Sequence, residues 1–326
     1  MINLLALGVA TGLSSAFLFA VAATGSPLGL LLSCLAPLPV LIATLGWHHR
    51  CGLIASAVGG LAVLTWFGSA RALGFTIALA LPAWWLGFLA LLGRPDRRGT
   101  LEWYPLGRLL LWLAAAAAVA ASTLLVVGAS GDHTAYAGYM RRLLEAFARL
   151  HERVPADVPL PGSLYALGGI PTELFIRWGV TAVPLLVAAM YTFLLTVNLW
   201  LAAKAVAMSQ RLPRPWPFVP AATMPRWAVL LPVGAVAMAA APGWISVAAL
   251  ALAGALAVAF ALQGLALIHE ASRGRPARMA LLVGVYVLLV LLPHSIMPLL
   301  AIAGAVDSAI GLRRFMHPGA APPPRT

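Results

Sequence analysis

The chain has 326 residues, 62% of them hydrophobic and 9% charged, with a formal net charge of +12. A soluble domain carries about 25% charged residues, so this composition cannot clothe a globule in polar surface and excludes an ordinary soluble enzyme. The positive charge would suit a nucleic-acid partner in a soluble protein, but its distribution along the chain assigns it to a membrane instead, and no nucleic-acid partner is expected.

Ten apolar segments follow one another, punctuated by Pro, Gly and charge: Leu4 to Ala23, Pro27 to Gly46, Cys51 to Gly68, Ala72 to Leu92, Leu109 to Gly128, Trp178 to Ala203, Trp227 to Ala241, Trp244 to Ile268, Ala280 to Leu292 and Ser295 to Leu312. About 20 residues of helix cross a hydrocarbon core of about 30 Å. These Ala/Leu-rich runs lack the alternation of barrel strands, so the expected fold class is all-α, a polytopic transmembrane bundle of eight to ten segments with no strands. The seventh and ninth segments are short, which leaves each open as a thin span, a half-helix or one arm of a kinked helix. The first segment lacks a basic n-region and is read as a retained membrane helix.

Basic residues in short loops mark the cytoplasmic side. With the N-terminus inside, that side receives Arg50, Arg94, Arg97, Arg98, Arg108, Lys204, Arg211, Arg214, Arg226, Arg273, Arg275, Arg278, Arg313, Arg314 and Arg325, which is 15 of the 21 Lys and Arg residues. A hairpin turning near Pro293, His294 and Ser295 keeps Arg313 and Arg314 inside, whereas a single kinked helix would not. The chain is thus expected in a bacterial inner membrane with both termini cytoplasmic. Residues 208–226 form a cytoplasmic loop, 227–312 C-terminal membrane hairpins and 313–326 a disordered tail. Trp47, Trp66, Trp103, Trp178, Trp200, Trp227 and Trp244 stand at segment ends as interfacial anchors.

Residues 129–177 do not read as membrane helix. Within them Tyr136, Met140, Leu143, Phe147 and Leu150 recur at three- and four-residue steps, which predicts an amphipathic helix outside the membrane. It would lie along the outer headgroups or on neighbouring spans. Alternatively it would form a lid over an outward-facing cavity, with the Pro/Gly-rich stretch 154–171.

No Walker loop, GxSxG, HExxH or Cys/His quartet is present, so no catalytic residue, cofactor or metal is expected. The informative side chains are the few polar ones at membrane depth, because burying them is costly. Asp307 is the sharpest; Arg314 lies two helical turns beyond it on the same face, which suggests a pair fixing the last helix, or alternatively a cation-coupling site. His269 and His294 could titrate but are expected at opposite faces, each in interfacial hydrogen bonding. His48, His49 and Cys51 share one turn, with spacing unlike a standard metal site. Asn198 and Gln263 are amides suited to interhelical bonding or to a ligand. Trp84 and Trp85, mid-segment, offer either packing surface or a stacking face for an aromatic ligand. Ala6 with Ala10, and Gly8 with Gly12, give small-xxx-small spacings for close approach of a partner helix.

The stretches QGLALIHEASRGRPAR, 263–278, and PLLAIAGAVDSAIGLRRF, 298–315, with Gly304, Asp307, Arg313 and Arg314, resemble the YybS-like family of bacterial polytopic membrane proteins. That family is distantly similar to the substrate-binding S components of energy-coupling-factor transporters. The resemblance implies a six-span domain over residues 1–207, an outward-open solute cavity within it, and an Ala-xxx-Ala face on the first helix, here Ala6 and Ala10, contacting a membrane coupling subunit. The segments after Trp227 depart from the six-span pattern. The expected function is a binding subunit for a small solute, energised by partner subunits because no nucleotide site is present. Its rivals are a scaffold for envelope or division proteins and a secondary transporter using Asp307.

Overall fold

The computed structural model describes residues 4–95, 99–152, 165–166 and 170–316. Most of the 154–171 stretch lies outside the described residues, as do Arg97, Arg98 and residues 317–326 of the tail. Helix accounts for 82% and strand for 2% of the structure. Among the described residues, eight helices are long and apolar enough to cross a membrane, namely Leu4–Thr24, Pro27–Gly46, His49–Phe67, Ser69–Ala90, Leu106–Gly128, Thr172–Met208, Trp244–Ala271 and Pro293–Ile310. The seventh and ninth sequence segments form shorter apolar helices, Arg226–Met238 and Arg278–Leu291.

Two of the eight are broken by proline, and two more, Thr172–Met208 and Pro293–Ile310, carry Pro184 and Pro298 inside them. In an apolar solvent each carbonyl so freed must find another donor. The second span divides into α2 (Pro27–Ser33) and α3 (Pro37–Gly46), since Pro37 and Pro39 supply no N–H. At the break, Cys34 O accepts from Asn198 Nδ2 at 2.9 Å and Ala36 O from Ser15 Oγ at 2.6 Å. Ser15 belongs to α1 (Leu4–Ala20), which packs on α4 (His49–Phe67). The fourth span runs through α5 (Ser69–Phe75), a wide π turn over Thr76–Ala80, and α6 (Leu81–Ala90). Pro82 cannot donate to Ala78 O, which instead accepts from the Tyr191 hydroxyl, and Ser56 Oγ donates to Ala80 O at 3.0 Å. Inside α9 (Thr172–Met208), Pro184 likewise frees Val180 O, and the Tyr136 hydroxyl approaches it at 3.5 Å. The polar side chains at membrane depth thus serve the backbone, whose unpaired groups would each cost several kcal/mol.

Tyr136 stands on α8 (His133–Glu152), the amphipathic helix that follows α7 (Leu106–Gly128). Its apolar stripe does not act as one face. Tyr136 and Ala148 are buried and Leu144 packs on Gly179 of α9, while Leu143, Phe147 and Leu150 stay exposed. Arg141 fastens the helix further by bonding Glu145 at 2.9 Å and Glu173 at 2.8 Å.

The rest of the chain forms α10 (Leu230–Met238), α11 (Trp244–Ala271), α12 (Arg278–Leu291), α13 (Pro293–Ile310) and the short α14 (Arg313–Met316). The most heavily buried of these is α11, which packs on α7, α9, α10 and α13. It meets α13 without intervening side chains: a Cβ on Gly304 would stand 2.0 Å from Phe260 O, and one on Gly264 2.0 Å from Leu300 O. α12 and α13 are separated only by the non-helical Leu292.

The expectation of no strands needs correction. Gly93–Pro95 (β1) pairs antiparallel with Leu101–Trp103 (β2), and Tyr165–Ala166 (β3) with Ile170–Pro171 (β4). Both ladders lie in connections between apolar segments, where a short hairpin leaves its edges to water rather than to lipid. One end of the bundle gathers the 47–49 turn, the β1–β2 hairpin, loop 209–226 and the C-terminal end of α13. There Arg211 lies over Trp47 at 4.8 Å, Arg214 bonds Tyr104 O at 3.1 Å and Arg313 bonds Ala222 O at 2.9 Å. The opposite end is marked by Trp244 Nε1 donating to Gly131 O at 3.0 Å.

Candidate functional site

The basic end holds a cavity of about 380 Å³, within the range of about 300–1,000 Å³ typical of small-molecule sites. Its walls come from the start of α7 (Leu106, Leu109, Leu110, Leu113), the last turns of α9 (Thr196, Leu199, Trp200, Ala203) and of α11 (Leu262, Leu265, Ala266, His269), with Tyr286 of α12. Loop 209–226 roofs it through Leu212, Arg214, Trp216, Pro217, Val219, Pro220 and Ala222.

Five prolines, Pro213, Pro215, Pro217, Pro220 and Pro225, keep this loop from becoming α-helix, apart from one 3-10 turn over Val219–Ala221, and leave carbonyls free for other partners. Three side chains pin it. Arg214 reaches inward, donating to Ala90 O at 2.9 Å and to Tyr104 O, and so closes the C-terminal end of α6, where a cation also meets the negative end of the helix dipole. Burial pushes its guanidinium below the ordinary arginine value, yet a guanidinium keeps its charge at any working pH. Arg313 donates to Pro220 O and Ala222 O, and Gln263 Oε1 accepts from Met224 N at 2.9 Å. At the foot of α7, a Cβ on Gly107 would fall 1.7 Å from Thr223 O, so the loop rests directly on backbone.

Gln263 and Arg313 converge on Asp307, whose Oδ2 accepts from Gln263 Nε2 at 2.9 Å and from Arg313 Nε at 3.1 Å, while Ser308 Oγ donates to Gln263 Oε1 at 3.0 Å. Asp307 is 2% exposed. The network joins α11, α13 and the roof, and the pairing of Asp307 with Arg314 expected from spacing is corrected to Arg313. Gly311, at φ 69° in the left-handed region, ends α13 four residues after Asp307 and swings the next residues out of helical register. Arg314 is exposed.

The other candidates scatter. Asn198 seals the break at Cys34, and Trp84 donates to His49 O at 3.0 Å. Trp85 packs edge-on against Trp112, its centroid 5.5 Å away; neither Trp84 nor Trp85 lines the cavity. His269 bonds the Tyr286 hydroxyl at 3.0 Å on the cavity wall, whereas His294 is exposed and far along the chain's turn into α13. Among the described residues no three His, Cys, Asp or Glu side chains gather as for a metal. Of the small-residue pairs, Gly8 and Gly12 are consumed within the chain, where their missing side chains admit Ile54 and Ala55 of α4, while Ala6 and Ala10 face outward. Trp216 and Arg214 of the cavity roof carried no distinguishing signal in the sequence beyond their place in a proline-rich loop, and Trp200 stood out there only as an interfacial anchor.

The cavity lies at the basic end, and part of its wall comes from α11 and α12, beyond the residues 1–207 in which the sequence suggested a solute site. At the other end of the bundle a smaller hollow of about 230 Å³ lies among Phe19, Ala20, Ala22, Ala23, Phe67 and Arg71, partly closed by Arg71 stacking over Phe67 at 5.3 Å. Comparison of the chain with protein-family models, with curated proteins and with solved structures gave no match.

Proposed function

We propose that the chain is a multi-pass protein of a bacterial inner membrane, its basic end cytoplasmic, that binds an apolar small molecule in the cavity roofed by loop 209–226. The carrying observation is the cavity itself: an apolar space of small-molecule size with a single guanidinium in its wall, roofed by a loop held through five hydrogen bonds involving Arg214, Arg313 and Gln263. Few and convergent polar groups in an apolar hollow are what recognition of a small ligand requires. The role we propose is one of binding: of the polar side chains on the described wall, Thr196 bonds Thr192 O at 2.8 Å and His269 bonds Tyr286 at 3.0 Å, which leaves Arg214 as the charged group facing a ligand. Partner subunits would supply energy for any transport. The outward Ala6–Ala10 face is available to a coupling helix, in keeping with the resemblance to S components.

The secondary-transporter reading is weakened by Asp307, which is committed to Arg313 and Gln263. A scaffold would not need the cavity. The test is to replace Leu110→Trp together with Leu265→Trp, both on the cavity wall, and to extract apolar molecules that co-purify with each protein. Binding predicts a molecule at near-stoichiometric amount in the unaltered protein and its loss from the double variant. Equal amounts in both, or none in either, would contradict the reading.

A further inference from the structure

Resting on that binding role, we infer that the occupant is an anionic lipid from the surrounding leaflet, with an acyl chain in the cavity and its phosphate head on Arg214. Three independent features of the site carry this.

The first is the wall. Apart from Thr196, Arg214, His269 and Tyr286, every lining residue is aliphatic, proline or tryptophan. A hydrocarbon chain loses nothing on entering such a space, whereas a sugar or nucleotide would leave its hydroxyls unpaired. His269 and Tyr286 already satisfy each other.

The second is the charge. Among the described lining residues Arg214 is the only Arg or Lys, and none carries a carboxylate. A guanidinium has five N–H donors; Ala90 O and Tyr104 O engage one on each terminal nitrogen. The remaining donors belong to a group whose position is already fixed, the arrangement that favours bidentate contact with phosphate oxygens. Two further cations stand beside the roof, Lys204 over Trp216 at 5.3 Å and Arg273 over Phe218 at 4.7 Å.

The third is the mouth. The lining residues that also reach the surface are of two kinds. Trp200 (52% exposed) and Tyr286 (43%) sit on apolar helices, Trp216 (46%) and Val219 (49%) on the polar loop. The mouth therefore straddles the junction of apolar helix and polar connection, the level at which lipid headgroups and aromatic belts lie. A lipid can enter there sideways with its head remaining at the level of Arg214.

The full-length protein in dodecyl maltoside is titrated with oleoyl lysophosphatidic acid and with mono-oleoylglycerol, which carry the same chain and differ by the phosphate, and bound lipid is counted by native mass spectrometry. The phosphate-bearing lipid should bind at least about tenfold more tightly, as one charge-assisted hydrogen bond implies. Arg214→Gln should abolish that preference, so that it binds the two lipids equally, and Arg214→Lys, which keeps the charge, should retain part of it. Because Arg214 also caps α6, the unaltered protein's preference is the primary readout and holds even where a variant fails to fold. Equal binding of the two lipids, or an undiminished preference in folded Arg214→Gln, would overturn the inference while leaving an apolar site intact. Binding of neither lipid would instead count against the cavity as a site at all.

Discussion

Asp307 illustrates what a single residue at membrane depth is for. Its carboxylate holds Arg313, Arg313 holds two carbonyls of the roof, and Gln263 links both to a backbone N–H. Breaking a buried ion pair leaves one charge uncompensated and costs about 3–5 kcal/mol. Asp307→Ala should therefore lower thermal stability in detergent by that order and loosen the roof, seen as faster proteolysis within loop 209–226. Arg314→Ala, by contrast, should stay within about 0.5 kcal/mol of the unaltered protein, as exposed substitutions do. Equal effects would refute the assignment of the pair. The sequence made Asp307 conspicuous because polar residues are scarce there, but helical spacing pointed to the neighbouring arginine. The error has one physical source: spacing arguments assume that the helix continues, and Gly311 stops it.

At the scale of elements, the prolines were legible and their remedies were not. Pro37, Pro82 and Pro184 mark breaks that any reading of the chain can find, but the donors answering them, Asn198, Tyr191 and Tyr136, come from residues 44 to 164 positions away. Only the packing of the helices brings them together. The same holds for the α11–α13 contact, where Gly264 and Gly304 let backbone meet backbone. A methyl group added at Gly304 has no space, so Gly304→Ala should destabilise by about 1–3 kcal/mol, the usual cost of overpacking. Gly284 of α12 has nothing within 4 Å of its Cβ position; Gly284→Ala should be neutral or stabilising by up to about 1 kcal/mol through helix propensity. Thermal unfolding of the two variants side by side checks this, and a similar loss in both would show that α12 is packed after all. The amphipathic α8 was also legible as a helix, yet the apolar spacing alone could not tell that Tyr136 turns inward to a proline-freed carbonyl while Leu143, Phe147 and Leu150 remain outward.

For the whole molecule, composition decided the class and charge decided the expected orientation. An interior dominated by alanine, glycine and leucine, with helices touching closely, is consistent with a bundle whose outer surface is solvated by lipid, and the many exposed Leu, Val, Phe and Trp side chains require such a solvent. The cavity was not legible, because its walls are drawn from the ends of helices far apart in the chain and closed by a loop that reads only as a connection. It lies at the basic end, where one of the arginine-bearing loops supplies the cation on its wall.

The central claim is that the helices thread a bilayer with loop 209–226, and so the cavity roof, on the side away from the Gly128 end of α7. It is tested by accessibility in a chain carrying Cys34→Ala and Cys51→Ala, with either Gly128→Cys or Ser209→Cys added, both at exposed positions. Intact bacterial cells expressing each variant are treated with a membrane-impermeant maleimide. Labelling at position 128 in intact cells, and at position 209 only after the membrane is opened, is the expected result; labelling of both positions from the same side would contradict the account.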